Sequence, residues 1–149
     1  MRLKGHLLAS GAVSAGIYAA TGSAKMAACS FAAGVLLDAD HLIDYWRDHS
    51  FNLDLSRFFS VCHECDLSKT MLPLHSVELL LLLAAAACFT RSGAITALAL
   101  GSGQHLFFDQ LVNKVYPYSY SFFYRMGKGF RSDAVFTNVR PGAGKNGND

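Results

Sequence analysis

The stretch Leu36-Leu37-Asp38-Ala39-Asp40-His41-Leu42-Ile43-Asp44 closes a long apolar, small-residue run with three carboxylates and an imidazole. The chain is 52% hydrophobic and only 16% charged, so four polar groups at the end of such a run call for a chemical reason. Read as a helix, the stretch places Asp38 and His41 (i, i+3) on one face and Asp40 and Asp44 (i, i+4) on a neighbouring one. Carboxylate and imidazole at that spacing are part of the coordination set that a helical bundle offers to a divalent metal, with further ligands from other helices. The other apolar runs are therefore the place to look for the remaining ligands.

Upstream, residues 7–24 carry no charge and are about 18 in number, just enough to cross a hydrocarbon core of roughly 30 Å. They are rich in small residues (Ser10, Gly11, Ser14, Ala15, Ala19), the composition of close helix packing in lipid. Thr21-Gly22-Ser23 predicts a tight turn, and residues 26–45 return across the bilayer. The start Met1-Arg2-Leu3-Lys4-Gly5-His6 resembles a signal peptide, but a second apolar run follows at once, so it reads as a retained first membrane helix. Downstream, Ser76 is placed to cap a third helix over residues 76–90. Arg91-Ser92-Gly93 turns the chain, and residues 94–113 form a fourth. Between the second and third helices, residues 46–74 read as an interfacial loop with short amphipathic pieces. After Pro117, the aromatic segment 118–124 with Arg125, Lys128 and Arg131 reads as a short amphipathic interfacial segment. The Gly- and Asn-rich tail, residues 141–149, is expected to be disordered.

The expected architecture is thus all-α: a single membrane-embedded domain, residues 1–140, built as a four-helix transmembrane bundle with a cytoplasmic interfacial loop. Four antiparallel crossings bring one end of each helix to one side. Those ends carry His6; then Asp38, Asp40, His41 and Asp44; then His75 and Glu78; then Gln104, His105 and Asp109. All six histidines and all eleven acidic residues fall on that side, and of thirteen Lys and Arg only Lys25 and Arg91 lie at the opposite turns. The positive-inside rule places the polar side in the cytoplasm, where thiols stay reduced. Charge at the edge of a membrane is expensive and marks a functional site by default.

His105 and Asp109 are i, i+4 on one face of the fourth helix, either as ligands or as a capping pair at the interface. His75 opens the third helix and His6 the first. Asp40 can be a ligand, an orienter of an imidazole or a base; Asp44 and Glu78 read as supporting or solvated groups. Cys29, Cys62, Cys65 and Cys88 look like buried free thiols rather than a disulfide framework. Cys62-His63-Glu64-Cys65 is at most half of a zinc knuckle, since no second pair follows. Net charge of +2 gives no argument for nucleic acid, and neither a Gly-rich phosphate loop nor a nucleophile elbow occurs.

His6 before the first helix, Asp38-x-Asp40-His41 closing the second, Leu74-His75-Ser76 opening the third and Gly103-x-His105-x-x-x-Asp109 in the fourth together resemble the bacterial inner-membrane metal-dependent hydrolase family, which is distantly linked to zinc-dependent phospholipase C. The resemblance covers roughly residues 6–109. It implies metal ligands among His6, Asp38, Asp40, His41, His75, His105 and Asp109, and a multi-pass protein of the bacterial inner membrane. Two positions depart from the family pattern: Leu37 stands where a proline is frequent, and Thr70 where the family has the histidine of a His-Arg pair. His63 is a candidate substitute for that histidine.

The expected function is hydrolysis of a phosphoester or lipid-like substrate by metal-activated water, with zinc as the first choice and manganese or iron as alternatives. Asp40 or Asp109 would take the proton. A non-catalytic metal protein, a haem protein with His41 and His105 as axial ligands, and a membrane adaptor are the competing readings.

Overall fold

A computed structural model of the chain describes residues 3–49, 51, 54–64, 67–137 and 139, with the backbone alone at His63 and Glu64. The tail 141–149, Cys65 and the side chain of His63 lie outside the described residues. In chain order the elements are α1 (Leu3–Thr21), α2 (Ala24–Leu36), a 3₁₀ turn (Leu37–Asp40), α3 (His41–His49), α4 (Leu55–Glu64), α5 (Val77–Thr90), α6 (Gly93–Val112), α7 (Phe122–Gly127) and a second 3₁₀ turn (Ser132–Ala134). The described residues are thus all-helical apart from isolated β-bridges at Lys69–Arg131 and Val115–Phe136. They fall into two compact units, one of residues 1–37 and 76–113, the other of residues 38–75 and 114–149.

The first unit packs α1 on α2, α2 on α6, and α5 and α1 on α6. The turns lie where the sequence puts them. Gly22 adopts φ +67°, a conformation open to a residue without Cβ, and Ser23, Ser76 and Ser92 each cap the next helix with a side-chain oxygen. The packing is inverted relative to a water-soluble bundle. Apart from Leu37 and Leu106, the buried positions are small or polar: Ser10 and Ser14 on α1, Ser30 and Gly34 on α2, Ala97, Gly101, Ser102, His105 and Asp109 on α6. Many of the large apolar side chains point outward, with Leu8 78% and Phe89 90% exposed. Glycine is required where helices touch. A Cβ at Gly101 would fall on the Ser30 carbonyl oxygen, and one at Gly34 on the Ser10 hydroxyl and the Gln104 amide.

One continuous helical stretch among the described residues, Ala24–His49, is long and apolar enough to cross a membrane. The other three runs read as crossings fall short of the same measure. At about 1.5 Å per residue, α5 (14 residues) is some 21 Å long, and α6 carries Gln104, His105, Asp109 and Gln110 within its last turns.

The second unit replaces the expected interfacial loop with a small packed core. Tyr45 on α3 and Phe58 and Val61 on α4 are buried together with Leu67, and Leu42, Trp46 and Cys62 lean on them. Tyr45 meets Phe58 edge to face at 5.4 Å. The C-terminal segment belongs to this unit as well. Ser119 and Tyr120 are buried, and Arg125 of α7 has no exposed surface, so the segment expected to be a short amphipathic interfacial piece buries its arginine on the inner side. The thiols also differ from expectation. Among the described residues Cys29, Cys62 and Cys88 form no disulfide, but Cys88 is exposed and Cys29 and Cys62 only half-buried.

A candidate metal centre in each unit

In the first unit the start of α1 meets the end of α6. His6 Nε2 lies 3.2 Å from Asp109 Oδ1 and His105 Nε2 lies 3.4 Å from Asp109 Oδ2. The two imidazoles stack almost parallel, 3.8 Å between centroids and 11° apart. All three side chains are buried. The i, i+4 spacing of His105 and Asp109 on α6 makes their meeting local, and antiparallel packing of α1 on α6 brings in His6. One bond fixes the chemistry. His105 Nδ1 sits 2.8 Å from the Gly34 carbonyl oxygen, which can only accept, so Nδ1 carries the proton. His105 therefore presents Nε2 to the carboxylate. Two ring nitrogens and a carboxylate, each offering an atom within 4.8 Å of the others, can hold a metal ion. Below them Gln104 donates to Ser10 Oγ at 2.8 Å and ties α6 to α1.

In the second unit the ligands come from the 3₁₀ turn, the start of α3 and the loop before α5. Tightening to three residues per turn places Asp38 over His41, their atoms 3.8 Å apart. His75 Nδ1 lies 3.0 Å from Asp40 Oδ1 and its Nε2 lies 3.3 Å from Asp38 Oδ1. His41 Nδ1 is 3.4 Å from Asp40 Oδ1, and the His41 and His75 rings meet edge to face at 4.9 Å. His75 and Asp40 are buried, and Asp38 and His41 half-buried. Asp38, His41 and His75 form the second group whose atoms lie within 4.8 Å of one another, and it too can hold a metal ion.

Asp40 stands apart from that trio because its oxygens are already engaged. Oδ2 accepts from the backbone N–H groups of Leu74 (2.9 Å) and His75 (3.3 Å), while Oδ1 meets the His75 ring. A carboxylate on the far nitrogen of an imidazole is the arrangement that orients a metal-binding histidine. Asp44, expected to be supporting or solvated, is fully buried. It accepts from Met71 (2.7 Å) and Leu72 (3.3 Å) N–H groups and pairs with Arg47 at 2.8 Å. Glu78, in the first turn of α5, belongs to neither group of candidate ligands.

Thr70 is buried and shares a 2.6 Å hydrogen bond with Ser132 Oγ. It therefore joins the C-terminal segment to the loop before His75. Sequence reasoning missed Arg125. This buried side chain donates from one nitrogen to the carbonyls of Leu72 (2.9 Å) and His75 (3.0 Å). Among aromatic residues a lone arginine reads as an interfacial anchor, and no local pattern names its partners. No family model, no curated protein and no solved structure matches the chain.

Proposed function

We propose that this chain is a membrane-embedded, metal-dependent hydrolase acting on a phosphoester or lipid-like substrate, with divalent metal held by His6, His105 and Asp109 and by Asp38, His41 and His75. The observation that carries the reading is the state of two histidines. In each, Nδ1 is fixed on an acceptor, Gly34 O for His105 and Asp40 Oδ1 for His75. Each Nε2 is thereby turned toward a carboxylate, Asp109 or Asp38. Where such a ring is neutral, its Nε2 lone pair and the carboxylate repel, and a shared divalent cation turns that repulsion into coordination. Zinc suits a set of imidazole and carboxylate ligands, and manganese or iron follow it.

The motif order from His6 to Asp109, which resembles that of the inner-membrane hydrolase family, supports the reaction class. When bound, the ion supplies Lewis acidity, polarising a phosphoester oxygen and easing loss of a proton from water. The chain's own groups would do the rest. Asp109, set between the His6 and His105 imidazoles, takes the proton; Asp40, occupied by His75 and two backbone N–H groups, keeps the imidazole in place. Half-buried Asp38 and His41 give the second set an approach from outside.

Support for the membrane comes from the inverted packing of the first unit, with an outer surface of leucine, phenylalanine and alanine and polar groups within. In this reading α1, α2, α5 and α6 cross the bilayer of a bacterial inner membrane and the acidic and histidine-bearing ends face the cytoplasm. Turnover tests the reaction. Purified protein hydrolyses a generic phosphodiester when zinc or manganese is supplied, and His105→Ala and His75→Ala lose that turnover. A metal-loaded protein inert toward phosphodiesters and phospholipids would leave a metal-binding membrane protein without hydrolase activity.

A further inference from the structure

The loop from Met71 to His75 is gripped from both sides by residues of the second unit. Four of its backbone N–H groups point at carboxylates: Met71 and Leu72 at Asp44, Leu74 and His75 at Asp40. Its carbonyls at Leu72 and His75 point at one nitrogen of Arg125, at 2.9 and 3.0 Å. The positive ends of these peptide dipoles thus face negative charge and the negative ends face positive charge, the favourable sense at both sides. The grip has a strained backbone to hold. Leu72 is buried and adopts φ +42°, a left-handed conformation that costs a residue with a Cβ about 1–2 kcal/mol.

We infer that Arg125 is a positioning residue for the His75 imidazole. The guanidinium fixes the two carbonyls between which the chain turns into His75, and so decides where the ring begins. With that backbone fixed, Nδ1 falls on Asp40 and Nε2 faces Asp38 and His41. Arginine suits this task better than lysine. One planar NH₂ group directs two hydrogens at two carbonyls, and a guanidinium is more weakly hydrated than an ammonium and easier to bury. Lys128 and Arg131 nearby in sequence do not share the role; they line an open cleft of about 330 Å³ with Tyr116, Tyr124 and Asp133. The consequence for metal rests on the proposed metal site, whereas the placement of the ring does not.

The test is ¹⁵N NMR of the histidine side chains in the detergent-solubilised full chain. The His75 Nδ1–H resonance is assigned by its loss in His75→Gln. In Arg125→Gln it shifts or broadens by exchange, and in Arg125→Lys it persists with a changed shift, because the shorter side chain does not carry its ammonium to the point where the guanidinium nitrogen meets both carbonyls. The His105 Nδ1–H on the Gly34 carbonyl stays as in wild type and reports that the chain is folded. An unchanged His75 resonance in folded Arg125→Gln overturns the inference. Should Arg125→Gln lose both resonances by unfolding, Arg125→Lys decides: a displaced His75 signal supports the role and a wild-type spectrum overturns it. Cobalt binding gives the functional arm. Arg125→Gln weakens the set containing His75 by roughly tenfold to a hundredfold and leaves the His6, His105 and Asp109 set unchanged. Wild type that takes no cobalt refutes the metal site and leaves the NMR result to judge Arg125.

Discussion

Gly101→Ala, compared with Gly103→Ala two residues further along α6, isolates the contact that holds the first unit together. Both replace a helix-interior glycine, so both gain about 0.5–1 kcal/mol of backbone entropy, and the gain cancels in the comparison. Their surroundings differ. A Cβ at Gly103 would meet Leu80 Cδ1 at 3.5 Å, an ordinary contact with a flexible side chain. A Cβ at Gly101 would fall on the Ser30 carbonyl oxygen and lie 3.0 Å from Ala33 Cβ. The backbone of α2 cannot rotate out of the way as a side chain can, so α2 and α6 must separate. Overpacking of this kind costs about 1–3 kcal/mol. Separation also stretches the bond from His105 Nδ1 to Gly34 O, one turn along α6, for about another 1 kcal/mol. Gly101→Ala is therefore less stable than Gly103→Ala by about 2–4 kcal/mol, summing those two terms. Equilibrium unfolding in mixed micelles, followed by far-UV circular dichroism, measures the difference. A Gly101→Ala protein as stable as Gly103→Ala refutes the close approach of α2 and α6, and with it the placement of the His105 ring.

Asp44→Asn keeps the shape but removes the charge that accepts from two N–H groups and pairs with Arg47. It costs about 1.5–3 kcal/mol, and hydrogen exchange at Met71 and Leu72 quickens while that of α6 does not change. Thr70→Val breaks the bond to Ser132 for about 1 kcal/mol, read as faster proteolysis of the C-terminal segment. Ser76→Ala removes the cap of α5 and costs about 1 kcal/mol, measured by thermal unfolding beside the wild type.

The helices of the first unit were legible because apolar runs and their breaks are local signals. Gly22, Ser23, Ser76 and the Arg91-Ser92-Gly93 turn all lie where the sequence put an end. The pair His105 and Asp109 was legible for the same reason, being one helical turn apart. The break in the second run was not. The 3₁₀ turn at Leu37–Asp40 comes with carboxylates of Asp40 and Asp44 that bind backbone N–H groups some thirty residues away, and no window of local sequence contains that loop. Residues 46–74 read as an interfacial loop because charged residues and histidines break their apolar positions into short pieces; Tyr45, Phe58, Val61 and Leu67 suffice for a small core once α4 folds back on α3. Arg125 was the least legible. Its burial is decided by two carbonyls fifty or more positions upstream, and a carbonyl leaves no mark in sequence.

The central claim is that these histidines and carboxylates hold metal. Metal content by inductively coupled plasma mass spectrometry tests it most directly, on protein purified in detergent without chelators: wild type, His105→Ala and His75→Ala. Near-stoichiometric zinc, manganese or iron is expected in wild type, with a loss in each variant. Wild type without metal after reconstitution, or equal metal in all three proteins, contradicts that claim.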